Sequence, residues 1–214
     1  MPATRAVCTG DLIGSRRGEP ADVDRAMEAL EAAAERVGHW VGADTRFTRF
    51  RGDGWQLYLE QPGSSLLALL ALIAHLRASG TGLETRIAIG FGRVERRGKS
   101  DLSDASGEAF SLSGHALDEM PRGSRIALAG PGVVVRWHHA IFDLAFWAAS
   151  RWTPDQAEAV SLALDPERRT QAEIADMLSI SRQAVQQRLS GAGWDAVSGA
   201  IEAVREHDWG GDDA

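Results

Sequence analysis

The stretch TGDLIGS at residues 9–15, together with RGDG at residues 51–54, decides how the first half of the chain folds. Each stretch places a carboxylate, Asp11 or Asp53, where an apolar run gives way to glycine. Residues 6–13 have the composition of a buried strand, and an aspartate between two glycines is typical of a hairpin turn. The two aspartates are therefore predicted to lie at neighbouring strand ends.

Carboxylates in this position are suited to binding a divalent cation. Oxygen ligands suit Mg²⁺ or Mn²⁺, and Mg²⁺ is usually held by one or two carboxylates together with substrate phosphates. Glycines lack a Cβ and so let a phosphate approach the backbone closely. We therefore predict that Asp11 and Asp53 bind Mg²⁺ or Mn²⁺. The alternative is that a strand-end aspartate and a turn aspartate lie in unrelated places.

Strand and helix patterns alternate through residue 129 in the order β-α-β-β-α-β-α-β. The predicted strands are residues 6–13, 46–50, 55–60, 85–94 and 124–129, and the predicted helices are residues 22–37, 64–79 and 109–120. This order predicts an α+β fold of ferredoxin-like character, an antiparallel-centred sheet with helices on one side. An aromatic-rich helix at residues 137–150 is predicted to connect this part to an all-α part.

The last quarter of the chain carries clear helix-start signals. TPDQ at residues 153–156 and TQAE at residues 170–173 are capping boxes, and Ser181 can cap a further helix. We predict helices at residues 171–178 and 182–190 with a short turn between them, which is the helix-turn-helix arrangement.

The outer face of the second of these helices is predicted to contact double-stranded DNA. It offers donors and acceptors without an acidic group, and in the major groove Arg pairs with guanine and Gln with adenine. Basic residues ahead of the first helix could hold phosphates. The predicted DNA-binding residues are Arg168, Arg169, Gln171, Arg182, Gln183, Gln186, Gln187 and Arg188. The alternative is a small helical bundle that binds protein.

Charge and composition limit the classes of partner. The net charge is −7, and residues 151–214 carry six Arg against twelve Asp or Glu. A bulk positive field for nucleic acid is absent, so we expect modest and strongly salt-dependent DNA affinity. The single Cys8 fits a reducing compartment. The apolar run at residues 65–76 is too short for a membrane span and no signal-peptide pattern is visible, so we expect a cytoplasmic protein without a membrane partner.

Four segments in order resemble class III nucleotidyl cyclases. DLIGS at residues 11–15 and GDG at residues 52–54 are similar to the two metal-binding segments of that family. RIAIGFGRV at residues 86–94 is similar to its next strand, and DASGEAF at residues 104–110 to its base-specifying segment. The resemblance implies a cyclase-like palm, a nucleotide ligand and a site formed between two palms. The nucleotide-binding residues that it implies are Leu12, Ile13, Gly14, Ser15, Arg49 and Asp104.

Three positions depart from the cyclase pattern. Ser111 and His115 stand where the family carries a catalytic Asn and Arg, and Arg49 stands where a base-recognising Lys is usual. Losing one positioned transition-state donor typically costs about 10²–10³-fold in rate. We therefore assign no catalytic residue and expect a ligand-binding protein more than an enzyme. The alternatives are an active metal-dependent nucleotidyl cyclase or other nucleotide-processing enzyme, and a palm used only as a dimer scaffold.

A palm followed by a C-terminal helix-turn-helix resembles the SatD family, through GEAF at residues 107–110, GHAL at residues 114–117 and the segment at residues 151–160. The last helices also resemble sigma-factor region 4 and LuxR-type regulators. The predicted organisation is a palm at 1–130, a connector helix at 131–152, a helix-turn-helix domain at 153–206 and a solvated acidic tail at 207–214. The preferred function is a homodimeric DNA-binding transcriptional regulator whose palm senses a nucleotide with Mg²⁺ or mediates dimerisation.

Overall fold

The computed structural model describes residues 3–15, 19–50, 52–99, 101–167 and 169–210. Within these ranges it contains five strands and eight α-helices. The strands are β1 Arg5–Ile13, β2 Thr45–Arg49, β3 Gly54–Leu59, β4 Glu84–Gly92 and β5 Ile126–Ala129. The helices are α1 Pro20–Val41, α2 Ser65–Ala78, α3 Glu108–Asp118, α4 Arg136–Ala149, α5 Pro154–Ala163, α6 Gln171–Leu178, α7 Arg182–Gly191 and α8 Trp194–Arg205.

The strands form one sheet in the order β2-β3-β1-β4-β5. The central strand β1 is antiparallel to both neighbours, so that Cys8 lies between Leu57 and Ile89, while β5 joins parallel to β4. The first four strands with α1 and α2 have the β-α-β-β-α-β order of a ferredoxin-like unit. The predictions of an α+β class and of an antiparallel-centred sheet are confirmed.

The sheet carries helices on both faces, so the prediction of helices on one side is wrong. α3 packs against β1 and β4 on the face opposite α1 and α2. Gly90 explains this, because a Cβ there would lie 2.2 Å from the carbonyl oxygen of Ala109 in α3. The missing side chain lets the helix backbone lie directly on the strand, where the hydroxyls of Thr9 and Ser113 are hydrogen-bonded at 2.8 Å.

Helix α2 is buried on nearly all sides, as its apolar composition predicts. It lies between the sheet and the C-terminal helices and contacts α1, α4, α5 and α8. Trp152, which is buried, strengthens this connection because its Nε1 donates to the carbonyl of Ala192 at 2.8 Å. One apolar core therefore continues from the sheet into the C-terminal helices, and the division of the chain at residues 130 and 152 stays a prediction.

The C-terminal segment differs from the sequence-based expectation. Helix α8 was not predicted, although Val197 and Val204 are buried on one of its faces. The expectation of a solvated tail is wrong at Trp209, which is buried and stacks on Phe91 with the ring centroids 4.5 Å apart. Its Nε1 donates to the carbonyl of Val204 at 2.9 Å. The chain after α8 thus returns to the sheet.

A buried histidine lies under this segment. His138 is fully buried, whereas the adjacent His139 is exposed. His138 lies against His207 and Trp209, with ring centroids 4.6 and 4.7 Å away. Burial, with His207 and His139 nearby, lowers the pKa of His138 from 6.5 to about 4.

In the part of the chain that the structure describes, no helix is long and apolar enough to cross a membrane.

We predict that Gly90→Ala destabilises the protein by about 1–3 kcal/mol, because the new methyl group would overlap the backbone of α3. Gly114→Ala is the matched control, since a Cβ there has no neighbour within 4 Å in the described chain. It should stabilise the protein by up to about 1 kcal/mol, the gain in helix propensity. Urea denaturation measures both changes, and equal values for the two variants would contradict the close packing of α3.

Acidification should destabilise the protein through His138. The unfolded chain binds a proton at this residue near pH 6.5, whereas the folded protein does so only near pH 4. The free energy of unfolding therefore falls as the pH decreases through this window, by about 3 kcal/mol at its lower end. His138→Gln should remove this part of the pH dependence in denaturation series, and the exposed-residue control His139→Gln should retain it. An unchanged profile for His138→Gln would contradict the prediction.

Candidate functional site

Strand pairing brings the two predicted aspartates together. Asp11 in β1 lies opposite Gly54 in β3, and the backbone N–H of Leu12 donates to the carbonyl of Asp53 at 3.0 Å. The hydroxyl of Ser15 donates to Oδ2 of Asp53. The prediction that the two carboxylates lie at neighbouring strand ends is therefore confirmed.

Arg86 is the neighbour that sequence reasoning missed. It faces Asp11 across the β1–β4 pairing, and its guanidinium binds both carboxylate oxygens, with Nε 2.9 Å from Oδ1 and Nη2 on Oδ2. The hydrogen bonding to Asp11, with Asp118 and Asp53 also nearby, raises the pKa of Arg86. The available signal was a charged residue within the apolar run of β4. The negative charge of Asp11 is thus compensated by a guanidinium of the same chain.

The arrangement, as it stands, does not fit a divalent cation. Both oxygens of Asp11 are occupied by a guanidinium, which also places a positive charge where a metal ion would need negative ligands. Asp53 already accepts the Ser15 hydroxyl. Among the residues that the structure describes, no group of three or more His, Cys, Asp or Glu is placed to hold a metal. Metal binding at Asp11 would require Arg86 to move away.

The other predicted nucleotide-binding residues fall in three places. Leu12, Ile13 and Gly14 lie with Ser15 at the end of β1, where the Leu12 side chain is buried. Arg49 instead forms an ion pair with Asp24 of α1 at 2.8 Å. Asp104 lies in the loop between β4 and α3, where its carbonyl accepts a hydrogen bond from Arg96.

Two of the three positions that depart from the cyclase pattern are exposed on α3. Both Ser111 and His115 face away from the sheet, and Nδ1 of His115 lies 2.7 Å from the Ser111 carbonyl. Within the described ranges, neither side chain contacts Asp11 or Asp53. Ser111 and His115 therefore add no acid or base to the paired carboxylates at this end of the sheet.

Helices α6 and α7 occur where they were predicted, joined by a three-residue turn. Thr170 caps α6, and the carboxylate of Glu173 accepts from the Thr170 N–H at 2.7 Å. Ser179 ends α6 with a positive φ of 54°. The Ser181 hydroxyl then accepts from the Ala184 N–H at 3.1 Å, which begins α7. These local hydrogen bonds define the ends of both helices.

Four of the predicted DNA-binding residues are exposed on the outer face of α7, namely Arg182, Gln183, Gln186 and Gln187. The remaining predicted residues are arranged differently. Arg188 instead binds Asp155 and Glu158 of α5 at 3.1 and 3.0 Å, and Arg169 binds Asp165 at 2.9 Å. Gln171 is half-buried, and Arg168 lies outside the described residues. The paired arginines have most of their charge compensated within the protein.

Comparisons with known proteins give a distant structural likeness. No protein-family model and no curated protein matches the chain. Among solved structures, the chain is similar to the crystal structure of the guanylyl cyclase Cya2, with 17% sequence identity. The match covers 55% of this chain and 72% of that chain, with a TM-score of 0.33. At this TM-score the likeness carries no argument about function.

Proposed function

We propose that the protein is a cytoplasmic, homodimeric transcriptional regulator that binds double-stranded DNA through α7. The observation that carries the proposal is the outer face of α7, which exposes Arg182, Gln183, Gln186 and Gln187 and no acidic side chain. Such a face is suited to base edges, because bidentate Arg–guanine and Gln–adenine pairs each contribute about 1–3 kcal/mol of discrimination.

The position of these residues on α7 supports this use. Arg182 and Gln183 are in the first turn, and Gln186 and Gln187 follow one turn later on the same side. In helix-turn-helix proteins the N-terminal residues of the second helix contact the bases in the major groove. The buried Val185 and Leu189 hold the opposite face of α7 against the protein. The polar face therefore points outward as one unit.

The pairing of basic side chains near α7 predicts how far DNA affinity depends on phosphate contacts. Arg188 and Arg169 are paired with carboxylates, so they are poor candidates for holding phosphates. Affinity should therefore depend on base contacts made by two copies on paired half-sites. With few phosphate contacts the salt dependence should be shallow, in contrast to the strong salt dependence expected from the sequence.

We predict that the wild-type protein enriches a defined sequence from a random double-stranded DNA pool at low salt. Arg182→Ala should weaken binding to the enriched duplex by about 10–100-fold in fluorescence anisotropy, since it removes one base contact. Arg122→Ala changes an exposed arginine on the sheet-containing part and should bind like wild type. Arg188→Ala should keep the sequence preference but unfold at lower denaturant, because it loses its ion pairs with α5.

Two results would oppose this proposal. The first is flat anisotropy of wild type at low salt with every duplex. The second is equal loss of affinity in Arg182→Ala and Arg122→Ala, which would indicate a diffuse charge effect.

The end of β1 supports a second role for the sheet. Asp11, Asp53 and Ser15 lie close together there, and this arrangement favours a nucleotide-binding site. The same arrangement also favours an alternative function, that of an enzyme. In that alternative the chain is a metal-dependent nucleotidyl cyclase or another nucleotide-processing enzyme, and Mg²⁺ or Mn²⁺ binds only after Arg86 releases Asp11.

The enzymatic alternative predicts a product when wild type is incubated with each nucleoside triphosphate and Mn²⁺. Mass spectrometry should detect it, Asp11→Asn should abolish it, and Asp24→Asn, which changes a carboxylate paired with Arg49, should retain it. Absence of product from wild type, or equal product from both variants, rejects the alternative without affecting the DNA-binding proposal.

A further inference from the structure

Helix α4 presents an apolar stripe to solvent. Trp137, Leu144 and Trp147 are 40%, 68% and 57% exposed, and the small Ala140 lies between them on the surface. Their spacing of three, four and three residues places all four on one side of the helix. We call this set the α4 stripe.

The stripe is not the face that builds the core. The opposite side of α4 is buried against α2, β5 and α8 through residues such as Phe142, Phe146 and Ala149. A surface helix of a globular protein normally carries polar residues on its outer side. On the exposed side of α4, Arg136, His139 and Asp143 follow this pattern, whereas the α4 stripe beside them is apolar. A contiguous exposed stripe of this kind, bordered by polar residues, marks an interaction surface.

The area of the stripe is in the range that an interface requires. A Trp side chain presents up to about 250 Å², so the two exposed indoles leave about 240 Å² in water before Leu144 is added. A standard interface buries about 800 Å² per partner, of which about 57% is apolar. The two tryptophans therefore supply about half of the apolar area that a stable interface needs.

Both tryptophans are held in place by their neighbours. The Trp137 ring packs on His138 at 3.8 Å and against the edge of His207 at 5.1 Å. The guanidinium of Arg151 lies over Trp147, 4.0 Å from the ring centroid. Aromatic side chains fixed in this way lose little conformational entropy on binding, which is typical of residues that dominate binding energy.

We propose that the α4 stripe binds a second copy of this chain, so that two α4 helices pack across a two-fold axis. Along the stripe the side chains are large, small, large and large, and this order of sizes is self-complementary when the two helices pack antiparallel. With the axis between Ala140 and Leu144, each Leu144 faces the Ala140 of the other copy and each Trp137 lies beside a Trp147. The same patch then serves both subunits, as a closed two-fold dimer requires. This inference is independent of DNA binding, although a dimer would also pair two α7 helices.

The test is the oligomeric state of the full chain without DNA, measured by sedimentation equilibrium at micromolar concentration. Wild type should sediment with twice the mass of the chain. Leu144→Glu and Trp147→Glu place carboxylates in the centre of the interface and should weaken dimerisation at least about 30-fold, the effect of losing a dominant interface residue. Circular dichroism should remain that of wild type, because both side chains are largely exposed.

Met177→Glu is the matched control, since Met177 is 52% exposed on α6 and lies outside the stripe. It should sediment as a dimer. Two results would overturn the inference. The first is a monomeric wild type, even if the stripe then binds a different protein. The second is a dimer that persists in both Leu144→Glu and Trp147→Glu. Dimerisation without DNA affinity would contradict only the proposed function. DNA binding by a monomer would overturn the inference and the homodimeric part of the proposed function, and would leave DNA contact through α7 standing.

Discussion

The packing of Trp55 on the central strand determines the geometry of the sheet end that carries the aspartates. A Cβ on Gly10 would lie 2.4 Å from the Trp55 ring, so the indole can cross β1 only because residue 10 is glycine. Trp55 Nε1 donates to the Thr85 hydroxyl at 3.2 Å, and that hydroxyl donates to the Asp11 carbonyl at 2.8 Å. Three strands are thereby tied together beside Asp11, which positions its carboxylate against Arg86.

This positioning changes what the aspartate pair can do. Two carboxylates close together would attract a cation, but the strand register also delivers Arg86 to Asp11. A guanidinium is always charged and matches a carboxylate with two parallel hydrogen bonds, so it is a strong competitor for a metal ion at the same oxygens. Asp11 is therefore already ion-paired with Arg86. A ligand that binds at this site has to compete with Arg86 for Asp11 or interact with Asp53 and the nearby backbone.

Local patterns predicted most of the fold, whereas contacts between distant residues were beyond them. The strands, α2 and the capped helices α6 and α7 follow from periodicity and from Thr170 and Ser181. The side of the sheet that α3 occupies depends on a glycine in another element, and the ion pairs of Arg86 and Arg188 depend on strand register and helix packing. None of these contacts can be predicted from a local sequence pattern. The two ion pairs nevertheless change which predicted site residues are available to a ligand or to DNA.

The two halves of the molecule are mechanically connected through α2. Because this helix is apolar on nearly all sides, it packs against α1 toward the sheet and against α5 and α8 toward the C-terminal end. Arg188 of α7 in turn is paired with α5. Both α5 and α8 also contact α7. Packed apolar interfaces resist continuous deformation, so an event at the sheet would reach α7 by shifting how α5 and α8 pack on α2. A regulator built on this chain would transmit its signal through those contacts, since α2 lies between the sheet and the helices that pack against α7.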